Sequence, residues 1–366
     1  MLVGVNALYL IPGGVGGTEI YLRNLLRALA AVDHANQYVV FTNRETGPDL
    51  VPPSFTHAPL PVNATNRPAR LLYEQTGLAM EARRRRLDVM FNPGFTAPAF
   101  PGCPNVTVFH DLQHKRHPEY FRRFDLPAWN LFLALSIRRS NVLVAVSELT
   151  GEDLKRFYHV DDDRVVVAPL GVEPEFYAVE RSAPEPFFLS VSTLHPHKNL
   201  DNLLFAFARF REERPDFRLV MTGVRGFHTA AVESRIRELG LQDSVTLSGW
   251  IPRTELYDLF RRATAMIYPT MFEGFGLPVI EAMAAGLPLA CSNIEPLHSI
   301  VDGAAIEFPP QDVDAMVTTM RRLTADTRDL VERGRQRAAC FTWEETARKT
   351  VAAIEAGLRA GSSRQS

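Results

Sequence analysis

Short apolar runs recur along the chain and alternate with amphipathic stretches of helical period. The runs Leu2–Ile11, Tyr38–Thr42, Val89–Phe91, Val106–Phe109, Val142–Val146 and Val165–Ala168 predict one series of strands. A second series is predicted at Phe187–Ser192, Arg218–Thr222, Val245–Ser248, Met266–Tyr268, Pro288–Cys291 and Ala305–Phe308. Most are rich in Val, Ile and Phe and lack clean alternation, the pattern of strands covered on both faces. Glu19–Ala31, Asn199–Glu213 and Ala230–Gly240 read as amphipathic helices between them. Strand and helix in regular order predict an α/β protein of two doubly wound, Rossmann-like parallel sheets. Pro169, Gly171, Pro174, Pro184 and Pro186 mark a linker, which places a first domain over 1–170 and a second over 171–342. Trp343–Leu358 reads as a helix beyond the second series, Gly361–Ser366 as a loose tail, and the six prolines of Pro48–Pro68 as a long surface loop. Ligands of doubly wound sheets bind at the carboxyl ends of the strands, so function is expected in a cleft there.

Composition narrows the class. Forty Lys and Arg against forty-two Asp and Glu leave a net charge of −2, which disfavours a nucleic-acid binder that needs surplus cations. An apolar fraction of 46% with 22% charged residues is that of a globular enzyme. Cys103, Cys291 and Cys340 form no CxxC pair and no zinc spacing, as expected of free thiols in a reducing compartment. No basic segment precedes the apolar start, and the longest uncharged run, Val89–His110, is interrupted by prolines. A cytoplasmic protein is expected, with no secretion signal and no membrane-spanning helix.

Four stretches carry candidate chemistry. Gly13-Gly14-Val15-Gly16-Gly17-Thr18-Glu19 follows the first strand and leads into a helix, where backbone N–H groups can approach a phosphate. It is not the dinucleotide fingerprint, because Glu19 stands where a third glycine belongs. His110 ends a strand ahead of Asp111, His114 and His117. A metal cluster is one reading of that group, but Pro118 and the lack of a helical frame favour a single functional His110. In His195-Pro196-His197-Lys198-Asn199, Asn199 reads as the N-cap of a helix and Lys198 as a phosphate clamp beside its positive end. Glu273-Gly274-Phe275-Gly276-Leu277-Pro278-Val279-Ile280-Glu281 is the most specific stretch. Pro278 suits a first helical turn and Gly286 a position just past its end. Two carboxylates with glycines between them can hold a polyhydroxyl ligand while backbone N–H groups face its phosphate.

The Glu273–Glu281 run resembles the E-x7-E motif of retaining glycosyltransferases of family 4, which have the GT-B fold. Agreement extends, in order, to Gly16-Gly17, His110-Asp111, Pro169-Leu170-Gly171-Val172, His195–Asn199 and Leu247-Ser248-Gly249-Trp250. The resemblance implies two Rossmann-like domains facing across a cleft, the first receiving the acceptor and the second a nucleotide diphosphate sugar. A helix over about 343–360 is expected to pack back on the first domain. By the same resemblance, Glu273 holds the donor sugar's hydroxyls and Glu281 the ribose. The N–H groups of Phe275, Gly276 and Leu277, with Lys198, bind the diphosphate, which Gly16 and Gly17 approach from the other domain. His110 contacts the donor sugar near its reacting face, and Gly249, Trp250 and Ile251 border the base. Two departures stand out: Ser192 occupies a position where many members have arginine, with Arg225 as a possible substitute, and His298-Ser299 replaces a usual Pro-Glu pair.

With both glutamates assigned by the resemblance to hydroxyl contacts, no further carboxylate stands beside His110 except Asp111, so the retention that the resemblance implies is expected to come from same-face substitution, with the leaving phosphate deprotonating the acceptor. No cofactor and no metal are expected. The hexose would pass from a nucleotide diphosphate sugar, GDP-mannose being the refinement suggested by Leu194–Asn199, to a glycan or lipid-linked acceptor. Alternatives are a nucleotide-sugar epimerase or non-catalytic binder on the same fold, and a dinucleotide-dependent oxidoreductase. Twelve basic and six acidic residues between Arg67 and Arg139, clustered at Arg83–Arg86, Arg122-Arg123 and Arg138-Arg139, suit an anionic acceptor or peripheral contact with the inner face of a membrane.

Overall fold

The computed structural model describes residues 1–14, 16–121 and 126–363. Arg122-Arg123 therefore lies outside the described residues, as does Val15. The chain divides into two compact units, Met1–Gly171 with Trp343–Ser366, and Val172–Thr342.

The first unit is built on a seven-stranded sheet of β1 (Leu2–Asn6), β2 (Gln37–Thr42), β3 (Thr56–Pro59), β4 (Val89–Asn92), β5 (Asn105–Phe109), β6 (Val142–Ala145) and β7 (Val165–Val167). Its order is β3-β2-β1-β4-β5-β6-β7, with every neighbouring pair parallel. The connections run one way from β1 and the other way from β4, so the order reverses between these two strands. Helix Trp343–Ser363 returns to this unit and lies against helix Gly17–Val32 and strands β4 to β7. Gly357 permits its close approach, since a Cβ there would stand 2.5 Å from Val106 Cγ2.

The second unit has a six-stranded parallel sheet of β8 (Glu185–Val191), β9 (Arg218–Thr222), β10 (Val245–Gly249), β11 (Ala263–Tyr268), β12 (Leu289–Ser292) and β13 (Ile306–Phe308), in the order β10-β9-β8-β11-β12-β13. Phe188, Ala265, Ile267 and Ala290 from the sheet pack with Leu203, Phe207 and Phe210 of helix Leu200–Glu213. The reversal here falls between β8 and β11.

Two expectations are corrected. The stretch Pro48–Pro68 is not simply a loop, because it contains β3, paired to β2 with Thr42 opposite Pro59. An edge position tolerates the missing N–H of proline. The first strand also stops at Asn6 rather than Ile11. Asn6 Oδ1 accepts from Leu8 N at 3.3 Å, and Asn43 Nδ2 donates to the carbonyls of Leu8 and Leu10 at 3.0 and 2.6 Å. These side chains satisfy backbone that a longer strand would have paired.

Candidate functional site

In the second unit, the loops after β8 and β11 leave the carboxyl end of the sheet on either side of its reversal point, the place where doubly wound sheets bind ligands. Lys198 lies in the first loop and Glu273 in the second. Lys198 Nζ donates to Glu273 Oε1 at 2.5 Å and to the Tyr268 hydroxyl at 3.3 Å. The same carboxylate oxygen accepts from Tyr268 at 2.6 Å. Both charged side chains are 12% exposed, so their pairing answers a real desolvation cost. Burial, and after it the charge of Glu273, hold the Tyr268 phenol well above its ordinary range and keep it a neutral donor.

Asn199 is not the helix cap that its residue type suggests. It sits in the left-handed region at φ 57°, and its side chain caps no helical N–H. Its Nδ2 instead donates to the carbonyls of Pro269 and Pro310, at 3.0 and 2.5 Å. Met271 N donates to His197 O at 2.7 Å, so the Lys198 and Glu273 loops are laced together. Lys198 is accordingly a cation already held by a carboxylate, not one solvated beside a helix end.

Gly276 precedes helix Leu277–Ala284 at φ 111°, and a Cβ there would meet Leu297 Cδ2 at 2.5 Å, so only glycine fits. Pro278 occupies the first turn and Gly286, at φ 64°, follows the helix end. Phe275 is buried edge-on against Phe341. Glu281, 3% exposed, points its Oε1 at Arg253 Nη2, 2.9 Å away. The same nitrogen meets Glu173 Oε2 at 2.7 Å, to which Tyr257 also donates at 3.1 Å. Burial pushes the Glu281 carboxyl up, Arg253 pulls it back, and Glu173 adds to the rise.

Gly249 ends β10 at φ 69°, its carbonyl accepting from Gly223 N at 2.9 Å and Thr222 Oγ1 at 3.0 Å. Beyond it Trp250 is 61% exposed and Ile251 half-buried. Ser192 is joined to β9 through its N–H, which donates to Thr222 O at 2.9 Å. Arg225 is largely exposed and pairs with Glu233 at 3.3 Å. His298 is exposed and bonds Glu307 at 2.9 Å.

In the first unit, Gly13 and Gly16 of the loop after β1 have φ 71° and 59°, and helix Gly17–Val32 starts immediately. Glu19 curls back to accept from Gly13 N at 2.7 Å and pairs with Arg23 at 2.9 Å. His110 follows β5. Its Nε2 is 2.8 Å from Pro93 O, and because a carbonyl can only accept, Nε2 carries the proton and Nδ1 the lone pair. Burial pushes the ring's pKa down to about 4, with the Pro93 contact opposing. Tyr21 and Phe95 stand edge-on to it, with centroids at 4.8 and 5.2 Å. The other histidines go elsewhere, His114 to the Tyr158 hydroxyl and His117 to Glu119. Among the described residues no group of three or more His, Cys, Asp or Glu is placed to hold a metal.

The second unit thus brings Lys198 together with Glu273, and Glu281 with Arg253. Tyr268, Arg253, Glu173 and Tyr257 escaped sequence reasoning. Tyr268 ends a predicted strand and could have been suspected from that place. The Arg253 triad joins three distant segments that no local spacing connects.

Two units, each a doubly wound parallel sheet, are the architecture of the GT-B class of nucleotide-sugar enzymes. Residues 15–176 match Glycosyltransferase Family 4 and residues 173–339 match Glycosyl transferases group 1. The chain belongs to this glycosyltransferase family. It is 28% identical to O-antigen chain mannosyltransferase B of Escherichia coli over 267 residues, 68% of this chain and 70% of that protein. It is 29% identical to MMP alpha-(1->4)-mannosyltransferase of Mycolicibacterium hassiacum over 301 residues, 76% of this chain and 73% of that one. Sucrose-phosphate synthase from Thermosynechococcus elongatus shares the fold, with a TM-score of 0.79 at 20% identity, covering 96% of this chain and 98% of that one. No helix among the described residues is long and apolar enough to cross a membrane.

Proposed function

We propose that this glycosyltransferase moves mannose from a nucleotide diphosphate sugar, GDP-mannose in the first instance, to a glycan or lipid-linked acceptor in polysaccharide synthesis, with retention and without a metal. The observation that carries the reading is the Lys198–Glu273 pair at the reversal point of the second sheet, beside the start of helix Leu277–Ala284. A diphosphate entering there takes Lys198 from Glu273, which frees the carboxylate for sugar hydroxyls. The N–H groups of Phe275, Gly276 and Leu277 join Lys198 in stabilising the departing charge. Glu281, oriented by Arg253, receives the ribose, and Gly249, Trp250 and Ile251 border the base. His110, kept neutral by burial, offers the sugar an uncharged ring. That both curated relatives described above are mannosyltransferases supports the choice of sugar.

A thermal-shift series with GDP-mannose and UDP-glucose tests this on the wild type, Lys198→Ala and Glu273→Ala. GDP-mannose should stabilise the wild type and lose most of its effect in both variants. No shift with any nucleotide sugar, or a product of inverted anomeric configuration by NMR, overturns the reading.

The proposal includes a peripheral membrane contact through the first unit. Among its described residues the strongly exposed large apolar side chains are Leu72, Met80, Phe100 and Leu131. Helical segment Arg67–Arg85 and helix Leu126–Arg139 are both tied to the loop that carries Phe100. Gln75 bonds Ala97 and Ala99 at 3.0 and 2.8 Å, Ser136 Oγ accepts from Ala97 N at 3.0 Å, and Arg83 donates to Phe100 O. Arg139 stacks over the Phe100 ring at 4.3 Å. Apolar side chains fringed by arginine suit an anionic lipid surface.

A further inference from the structure

We infer that the first unit contains a receptor for an anionic group of the acceptor, a phosphate monoester or diphosphate, built on Arg70 with Arg67 and Tyr9 at the reversal point between β1 and β4. The inference rests on reading the first unit as the acceptor side.

Arg70 is only 6% exposed, yet its guanidinium makes no hydrogen bond and no ion pair within 4 Å with any described residue. Its nitrogens are not sealed from water, so an otherwise buried side chain presents an unpartnered guanidinium to solvent, where an anion can reach it. The carboxylate one turn away does not answer it. Glu74 is fully buried and its Oε2 accepts from the Thr96 hydroxyl at 3.0 Å, so it acts on Arg70 only at longer range. The cation is therefore held in place with its bonding capacity unused.

Its surroundings are those of a binding site. Tyr9 follows β1 and lies flat against Gly94, which follows β4; a Cβ on Gly94 would be 2.2 Å from the Tyr9 ring. Arg67, one turn before Arg70, stacks 4.3 Å from the centroid of the Trp129 ring. Trp129 contacts Phe95 at 6.1 Å, and Phe95, forced to φ 70°, contacts His110 at 5.2 Å. Arg67 thus stands at one end of a run of aromatic rings that ends at His110, with Arg70 one turn further along its helix. An acceptor sugar resting on those rings would reach His110 while its phosphate met Arg70 and Arg67. Arginine suits this because its planar fork can meet two phosphate oxygens at once.

The test uses the full chain carrying Lys198→Ala, which removes the cation proposed to hold the donor diphosphate. Inorganic pyrophosphate is titrated calorimetrically into this protein and into the same protein with Arg70→Gln or Arg67→Gln. Arg70→Gln should weaken binding by about tenfold or more, the loss of charge-assisted hydrogen bonds, and Arg67→Gln by less. Circular dichroism checks that each variant is folded, and if Arg70→Gln is not, the Arg67→Gln comparison decides. Mannose 1-phosphate in solution, and phosphatidylcholine vesicles carrying phosphatidic acid, are then tried as competitors. Displacement by either supports the site and identifies a free or a lipid-borne phosphate. No pyrophosphate binding, equal binding with and without the arginines, or displacement by neither competitor overturns it. GDP-mannose stabilisation of the otherwise wild-type Arg70→Gln chain, measured in parallel, separates failure of this site from failure of the glycosyltransferase reading.

Discussion

Replacing Arg253 by methionine tests the electrostatics around Glu281 directly. Arg253 is the cation shared by Glu281 and Glu173, whose side chains are 4% and 13% exposed. Each pair, with charge centres about 4 Å apart, attracts by about 4 kcal/mol at an effective dielectric near 20, most of it offset by desolvation. Methionine keeps the packing of the stem but leaves two buried carboxylates facing each other. Because Arg253 is itself about a third exposed, with its side chain at 32%, the expected loss sits at the low end for a broken buried pair, about 2–3 kcal/mol at pH 7. The sign of its pH dependence is fixed. Glu281 is already raised by burial and loses the arginine that pulls it back, so the folded variant binds protons more readily than the unfolded chain. Its deficit should therefore shrink as pH falls from 7 to 5. Glu281→Gln added to Arg253→Met should recover part of the loss, because the repulsion with Glu173 disappears. Urea unfolding followed by circular dichroism at both pH values reads these differences. A loss below about 0.5 kcal/mol at pH 7, or a loss that does not diminish at pH 5, refutes the assignment of the cost to stranded carboxylates.

Three further outcomes are expected. Gly223→Ala should destabilise by about 2–4 kcal/mol and weaken nucleotide-sugar binding, because Gly223 holds φ 144° and a Cβ would lie 2.2 Å from Ser192 O on the Lys198 loop; an unchanged melting temperature would contradict this. His110 and His114 both have pKa values pushed down to about 4 by burial, so their contribution is full above pH 6.5 and lost as pH falls toward 4, by up to about 3 kcal/mol per site. The fall in urea midpoint between pH 7 and 5 should flatten in His114→Gln, and an equally steep fall would count against it. Phe100→Ser with Leu72→Ser should reduce sedimentation with anionic vesicles, and the binding that remains should weaken further in 0.5 M salt; wild-type protein that ignores such vesicles at low salt removes the membrane contact.

Much of the architecture was legible because buried parallel strands write themselves as unbroken apolar runs. Val142–Val146, observed as Val142–Ala145, and Arg218–Thr222, observed with those bounds, are cases where the pattern and the strand coincide or nearly so. β3 was not, since Thr56–Pro59 is an edge strand with mostly outward-facing residues and a proline that conceals it. The Glu273–Glu281 stretch was legible because its chemistry is local, glycines and proline setting a helix start between two acids. The partners of those acids were not, since Arg253 and Glu173 reach Glu281 only through the winding of the sheet. Asn199 shows the converse failure. Its type favours a helix cap, and tertiary hydrogen bonds to Pro269 and Pro310 override that preference.

The return of helix Trp343–Ser363 to the first unit has a consequence for biosynthesis. Its Trp343 contacts Tyr21 at 6.0 Å, and Tyr21 in turn supports His110. A ribosome adding about 5–20 residues per second needs roughly 10–40 s to pass from residue 172 to 363. During that interval the face of β4 to β7 that receives the helix has no cover, and the second unit gains its last strand, β13, before residue 343 is added. The unit made first is thus finished last. The nascent chain should engage holdase chaperones through the first unit, with release tied to emergence of the returning helix.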